Sequence, residues 1–387
     1  MPPPSPSSRA PSHSIAGLNP APFPSAPPAL VVKAALGLRS LLRRAADAIV
    51  PPFLVGVDLS AGVAWTAMVG AVARAGIADA LRDGPLSAAE IAARTHTNAD
   101  VVHRTLRALA TRNVFKIERD GRFALTRISR ALLTGDLARG REWCDYFSSR
   151  ANALAWIDYD ECLRSGASAF QRVHGVSVWD WFDAHPAERE CFAQCMMGAT
   201  VVAAPVVASI YPWHEVNVLC DVGGGRGTLL SEILVRHPHL RGVLVDGAGV
   251  IESAQALLAA RGVLARVQCK PGSFFSDVPS GADTYSLKNV LHDWDDARCI
   301  QILEVVKRAL PPGGRILVIE TLVEHNDLSL GAFADVQMLV VSDGGRERGR
   351  GELSALFAHS GLSMGRVFDA GTVAVIEAFP RGAAPPR

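Results

Sequence analysis

Three residues carry the strongest hint of chemistry: His292, Glu320 and Glu347. An imidazole among carboxylates can take up a proton and hold it. The carboxylates fix the ring's tautomer and stabilise the imidazolium that forms. A second group lies upstream, where Asp221 precedes Gly223-Gly224-Gly225-Arg226-Gly227 and Asp246 follows. Glycines let the backbone approach a ligand and adopt positive φ, and a helix N-terminus offers unpaired N–H groups. A carboxylate at Asp246 can accept hydrogen bonds from ribose hydroxyls. The loop lacks the dinucleotide spacing G-x-G-x-x-G: the sixth position is Thr228 counted from Gly223 and Leu230 counted from Gly225. Asp221 also sits badly beside a pyrophosphate. It suits a cationic ligand, such as the amino group or sulfonium of S-adenosylmethionine.

These side chains need elements to bring them together. Residues 216–222 read as a strand, 228–236 as an amphipathic helix and 242–245 as a second strand ending in Asp246. Strand, glycine loop, helix, strand opens a doubly wound α/β sheet. Residues 283–287 form a further strand, and its exit, 288–294, carries His292. A helix over 295–310 stops at Pro311-Pro312-Gly313-Gly314, and a strand over 315–319 ends at Glu320. Ligands bind at the carboxyl ends of such strands. His292 and Glu320 therefore project into one cleft, and Glu347, in the loop 343–348, closes it.

Upstream, residues 61–134 read as three helices and a hairpin. An apolar helix over 61–81 ends at Asp83-Gly84-Pro85. Ser87 and Glu90 form a capping box. Asn98 caps the third helix, with Val101, Leu106 and Leu109 on one face. Strands over 114–117 and 123–125 flank the turn pair Asp120-Gly121. This is the winged-helix pattern. Residues 97–127 hold seven basic and three acidic side chains, which admits DNA binding, but a solvated face on a dimerising module is the favoured reading.

Residues 1–28 contain ten prolines and are expected to be disordered. Residues 29–50 form an acid-poor apolar helix that packs on a partner subunit or follows a misassigned start codon; a transit peptide is the alternative. Met196 and Thr200 lie in a Met and aromatic stretch expected to form a substrate wall. Asp335, Met338 and Ser342, on the helix before the Glu347 loop, are expected to face the acceptor. The organisation is thus a tail (1–28), an N-terminal helix with a winged-helix dimerisation domain (29–135), a helical connector (136–215) and a Rossmann-like catalytic domain (216–380).

Composition narrows the classes. A chain of 387 residues with 49% hydrophobic and 20% charged residues is not globally disordered. Thirty-nine basic against 38 acidic residues give a net charge of +1, a poor match to a nucleic-acid partner. The seven cysteines form no C-x-x-C, so no disulfide framework or zinc site is expected, and a cytoplasmic location fits. The longest apolar run, 61–73, falls short of the roughly 20 residues a membrane span needs, so no membrane is expected.

DVGGGRG (221–227), LKNVLHDWDD (287–296), LPPGGRILVIET (310–321) and GGRER (344–348) stand behind the winged-helix module. On these motifs the chain, from 61 to 379, resembles the S-adenosylmethionine-dependent O-methyltransferases of the plant caffeate type and their bacterial natural-product relatives. The resemblance implies a class I methyltransferase sheet with an antiparallel last strand and a homodimer formed through the N-terminal domain. It also implies a small hydroxylated, phenolic acceptor and no metal. It makes His292 the general base, bracketed by Glu320 and Glu347. Gly223 and Gly225 carry the methionine part of the cofactor beside Asp221, and Asp246 takes the ribose. Trp294 lies against the adenine, and the backbone at Lys288 holds the methionyl amino group. Ser273, before Phe274, stands where the family usually has an aspartate at the adenine amino group, and Gly247-Ala248 replaces the usual Leu-Pro or Arg-Pro. In the implied reaction the acceptor oxygen sits about 3 Å from the methyl. Neutral imidazole, with an ordinary pKa near 6.5, takes the proton of a phenol whose pKa is near 10. The alternatives are an N-methyltransferase or drifted enzyme on the same fold, a cofactor-sensing DNA-binding regulator, and, least favoured, an NAD dehydrogenase.

Overall fold

A computed structural model describes residues 18–24, 27–324 and 330–382. The N-terminal part is helical, with one small antiparallel hairpin of β1 (Phe115–Ile117) and β2 (Phe123–Leu125). The caps are those the sequence dictates. Ser87 and Glu90 cap each other's backbone, and the Asn98 side chain accepts the N–H of Val101 at 3.1 Å. Two details differ. The helix expected over 61–81 runs Gly62–Arg74 and restarts at Ile77, because Gly76 turns left-handed at φ 68°. In the helix Ala99–Ala110, Val102 faces the core with Leu106 and Leu109, while Val101 is exposed.

The catalytic part is a seven-stranded sheet. Its strands are β3 (Val218–Val222), β4 (Arg241–Asp246), β5 (Val267–Pro271), β6 (Thr284–Lys288), β7 (Arg315–Glu320), β8 (Leu362–Asp369) and β9 (Ala374–Pro380). The order is β5-β4-β3-β6-β7-β9-β8, with β9 antiparallel to both neighbours and β3 to β7 parallel. The central strands carry apolar residues on both faces because helices cover both. One face packs Cys220, Val222 and Leu287 on Ile302 and Val306; the other packs Leu219, Leu244 and Leu317 on Leu230 and Ile233.

Two expectations meet a correction here. The helix Pro186–Ile210 is long and apolar enough to cross a membrane by length and composition. The expectation overlooked it: residues 195–208 carry no charged side chain and, counted as 61–73 was with its Thr66, form a longer run. Its Cys195, Met197, Val201, Ala204 and Val207 are buried, and it packs on the helices Gly140–Ser148 and Thr228–Arg236. Within the Pro-rich tail, Phe23 is buried, with the Arg261 guanidinium 4.0 Å above its ring and its N–H on Glu232 at 3.0 Å. The stretch 18–24 is therefore docked on the catalytic part.

Candidate active site

The end of β6 sets the histidine. Asn289 follows Lys288 with φ 51°, a left-handed turn, and donates its N–H to the Ile319 carbonyl at 3.1 Å. The chain then makes one short 3-10 turn, Leu291–Asp293. Next door, Glu320 ends β7, and its Oε1 accepts the N–H groups of Val290 and Leu291, each at 3.0 Å. The Glu347 loop is bound to the same turn. Arg346 donates its N–H to the His292 carbonyl at 2.8 Å, and Asp335 accepts the Glu347 N–H at 2.9 Å. The buried Arg348 guanidinium reaches the Leu291 carbonyl at 3.0 Å and the Trp294 carbonyl at 2.8 Å. Glu347 is only 5% exposed, and its partner is His292, not the arginines beside it in sequence.

Both glutamates address one nitrogen. His292 Nδ1 lies 2.9 Å from Glu347 Oε1 and 3.5 Å from Glu320 Oε2. Nε2 has Asp293 Oδ1 at 3.7 Å. Burial opposes a charged ring, but Glu320, Asp293 and Glu347 outweigh it and push His292 up to about 10. Burial likewise raises the Asp293 carboxyl to about 7. These carboxylates favour the charged ring over the neutral one of an ordinary imidazole. The ligand atoms of His292, Glu320 and Glu347 lie within 4.8 Å of one another, so the trio is also a donor set of the kind that holds a divalent ion.

The glycine loop lies over Asp221. This carboxylate is 1% exposed; Oδ1 accepts the Ser286 hydroxyl at 2.7 Å, and Oδ2 has no hydrogen-bond partner among the described residues. Burial raises its pKa to about 6. Gly223 and Gly225 have φ of 66° and 57°. A Cβ on Gly224 would lie 2.5 Å from Leu244 and 2.6 Å from Asp221 Oδ2. Asp246 holds the loop from the next strand end: Oδ2 accepts the Gly225 N–H at 2.8 Å and Oδ1 the Gly247 N–H at 2.7 Å. Lys288 ends β6 between these groups, and burial lowers its pKa. Trp294 meets Phe275 edge-on at 4.8 Å and Phe274 at 6.4 Å, and its own buried N–H has no partner among the described residues. Ser273 is exposed, and its hydroxyl accepts the Phe275 N–H at 3.3 Å. The unpaired buried oxygen of Asp221 under a loop with no room for a side chain fits a close, cationic ligand.

The residues expected at the acceptor divide. The Thr200 hydroxyl is spent on the Met196 carbonyl at 2.7 Å, and Met196 is half-buried. Met338 packs with the aromatic cluster around Phe170 and Trp179. Ser342 is buried against Gly345, and its hydroxyl has no hydrogen-bond partner among the described residues. Asp335 is spent on the Glu347 backbone, so it positions Glu347. Sequence reasoning missed Gly224, Ser286, Asn289 and Arg348. Only Gly224 had a signal, its place between two chosen glycines; the others act through contacts across strands and loops.

Residues 156–363 match the family described as O-methyltransferase domain, and residues 57–135 the O-methyltransferase dimerisation domain. The chain is similar to the mitomycin biosynthesis 6-O-methyltransferase of Streptomyces lavendulae, 34% identical over 81% of this chain and 91% of the relative. Its fold is similar to the crystal structure of LaPhzM, with a TM-score of 0.82 and 33% identity over 86% of this chain and 100% of that one. It is also similar to NcsB1 from neocarzinostatin biosynthesis, solved with S-adenosylmethionine and 2-hydroxy-5-methyl naphthoic acid (TM-score 0.72, 31% identity, 82% and 96% covered). Two Streptomyces relatives carry other activities in their names: an 8-amino-8-demethylriboflavin N,N-dimethyltransferase at 32% identity (79% and 89% covered) and an aclacinomycin 10-hydroxylase at 34% (74% and 78% covered). With the sheet, the glycine loop and the histidine turn in place, the chain belongs to the O-methyltransferase family as an S-adenosylmethionine-dependent enzyme with its own dimerisation domain.

Proposed function

We propose that the chain methylates a phenolic hydroxyl of a small secondary metabolite, with His292 as the group that takes the proton. The observation that carries this is the pinning of Nδ1 by Glu347 and Glu320. A ring that donates from Nδ1 leaves Nε2 as its basic atom. The cofactor supplies a methyl group on a positively charged sulfur. When it is bound, Gly223, Gly224 and Gly225 would hold its methionine part, Asp221 and Asp246 its cationic and ribose groups, and Trp294, Phe274 and Ser273 its adenine. A cation held beside the cleft would favour the neutral ring and lower the His292 pKa. Glu320 and Glu347 then stabilise the imidazolium once the phenol proton reaches Nε2. Met196, Thr200, Met338 and Ser342 shape the acceptor side.

The trio is assigned to proton transfer, not to a metal, because Nδ1 and Glu347 are bonded to each other. Activity is therefore expected to survive dialysis against EDTA. The free cysteines suit a reducing cytoplasm, and the N-terminal helices pair two copies of the chain.

The test is methyl transfer from labelled S-adenosylmethionine to a panel of phenols, with His292→Ala alongside. The variant should lose turnover by about 10²-fold or more and keep its cofactor affinity in a calorimetric titration. Transfer to no hydroxyl, or full turnover without the imidazole, would overturn the reading.

A further inference from the structure

His292 and Glu347 are 55 residues apart in sequence, yet their side chains meet at 2.9 Å. That distance depends on what ties the loop 343–348 to the turn Leu291–Asp293. The backbone supplies one tie, the Arg346 N–H on the His292 carbonyl at 2.8 Å. A single side chain supplies two more. Arg348 is 4% exposed; Nη1 donates to the Leu291 carbonyl at 3.0 Å and Nη2 to the Trp294 carbonyl at 2.8 Å. These carbonyls stand on either side of His292. The Cys299 thiol, a weak donor, reaches the same two at 3.1 and 3.5 Å.

The guanidinium is itself held. Asp296 Oδ1 accepts Nε at 3.0 Å and Nη2 at 2.7 Å. The main chain of Arg348 faces the third member of the trio: its carbonyl accepts the Val323 N–H at 3.3 Å, and it pairs in parallel with Leu322, just past Glu320. Arg348 thus stands where the three segments carrying His292, Glu320 and Glu347 join. An arginine suits this place. Its planar fork offers several donors at fixed spacing, and its charge strengthens each bond. Glu347 is its peptide neighbour, so the fork that grips the histidine turn also sets where the Glu347 carboxylate falls. A misplacement of about 1 Å at a reacting group can cost about 10²-fold in rate.

We propose that Arg348 is a positioning residue for proton transfer: it clamps the carbonyls on both sides of His292 and so holds Glu347 Oε1 against Nδ1. The inference rests on the O-methyl transfer reading above, in which His292 takes the proton, and adds the residue that keeps that base aligned. The ring faces Glu347, Glu320 and Asp293, and Lys288 lies near Glu320. A variant that keeps the Arg348 charge leaves these charges in place, so a change in the ring's titration then reports the position of Glu347.

The test uses the full chain with Arg348→Lys, which keeps the charge and loses the fork. The His292 ring is titrated by NMR in the cofactor-free chain, and kcat is measured with labelled S-adenosylmethionine. With Glu347 displaced, the imidazolium loses a partner, so the ring should give up its proton at a pH lower by about 1 or more. The kcat should fall about tenfold or more. Combined with Glu347→Gln, Arg348→Lys should add no more than about threefold to the loss, because both act through one contact. A merely structural role would leave the titration in place and make the losses multiply. Asp296→Asn, at a side chain 65% exposed, loosens the same clamp from outside and should show a weaker loss that Glu347→Gln likewise absorbs. It carries the test should Arg348→Lys fail to bind cofactor. A native titration and rate in Arg348→Lys, or losses that multiply with Glu347→Gln, overturn this inference and leave O-methyl transfer standing. Full turnover in His292→Ala overturns the function reading and this inference with it.

Discussion

The proton balance of this enzyme turns on which nitrogen of one ring is occupied. Two carboxylates converge on His292 Nδ1, and a third lies off Nε2. Their charges outweigh burial and raise the ring's pKa to about 10. A base must be neutral to accept a proton, so log kcat/KM for the cofactor, which titrates the cofactor-free enzyme, should rise with pH from 6 upward and level off near 10. Glu347→Gln removes one negative charge, favours the neutral ring and should move that limb to lower pH, even as the maximum rate falls. A flat profile between pH 6 and 10, or a limb displaced upward in the variant, would refute the assignment.

At the scale of elements, the site is made of strand ends and the loops that tie them. Gly224 lies where any side chain would run into Leu244 and Asp221. Gly224→Ala should lift the loop off Asp221 at a cost of about 1–3 kcal/mol, the usual range for overpacking. Cofactor Kd in a calorimetric titration should then rise by about tenfold or more; unchanged affinity would show that the loop gives way freely. The docked stretch 18–24 belongs to this scale too. Phe23 packs on Met197, Val201 and Leu257, and its neighbours' carbonyls take the buried Arg261, which pairs with Glu232. Phe23→Ala should destabilise the catalytic part by about 1–3 kcal/mol, less than a core Phe truncation because the stretch can undock. Chemical unfolding checks this; an unaltered midpoint would mean the stretch adds nothing.

For the molecule as a whole, the exposed apolar side chains gather at the N-terminal end. Leu30, Leu38, Leu41, Leu42, Phe53, Leu54, Val57, Leu59 and Val63 lie bare on the helices Ala29–Ile49, Pro52–Ser60 and Gly62–Arg74. Apolar surface on this scale is usually covered by a partner, and it runs into the stretch 57–135 that matches a dimerisation domain. The chain should therefore sediment as a dimer, and Phe53→Asp with Val57→Asp should shift it towards a monomer in analytical ultracentrifugation. A native chain that sediments as a monomer at micromolar concentration would remove the argument.

The sequence by itself determined the strand–loop–helix order of the catalytic part, its glycine loop and the acids at its strand ends. Those depend on local pattern: alternation of apolar runs with breakers, and the need for glycine where φ is positive. His292, Glu320 and Glu347 were legible as a set only because each sits at a strand exit or in a marked loop. Tertiary structure alone decided that both glutamates meet the same nitrogen, that Glu347 leaves its neighbouring arginines, and that Thr200 is consumed within its own helix. It alone placed Phe23 in a core. The reason is physical: burial and hydrogen-bond geometry depend on which distant segments cover a side chain, and residues far apart in sequence carry no local trace of that.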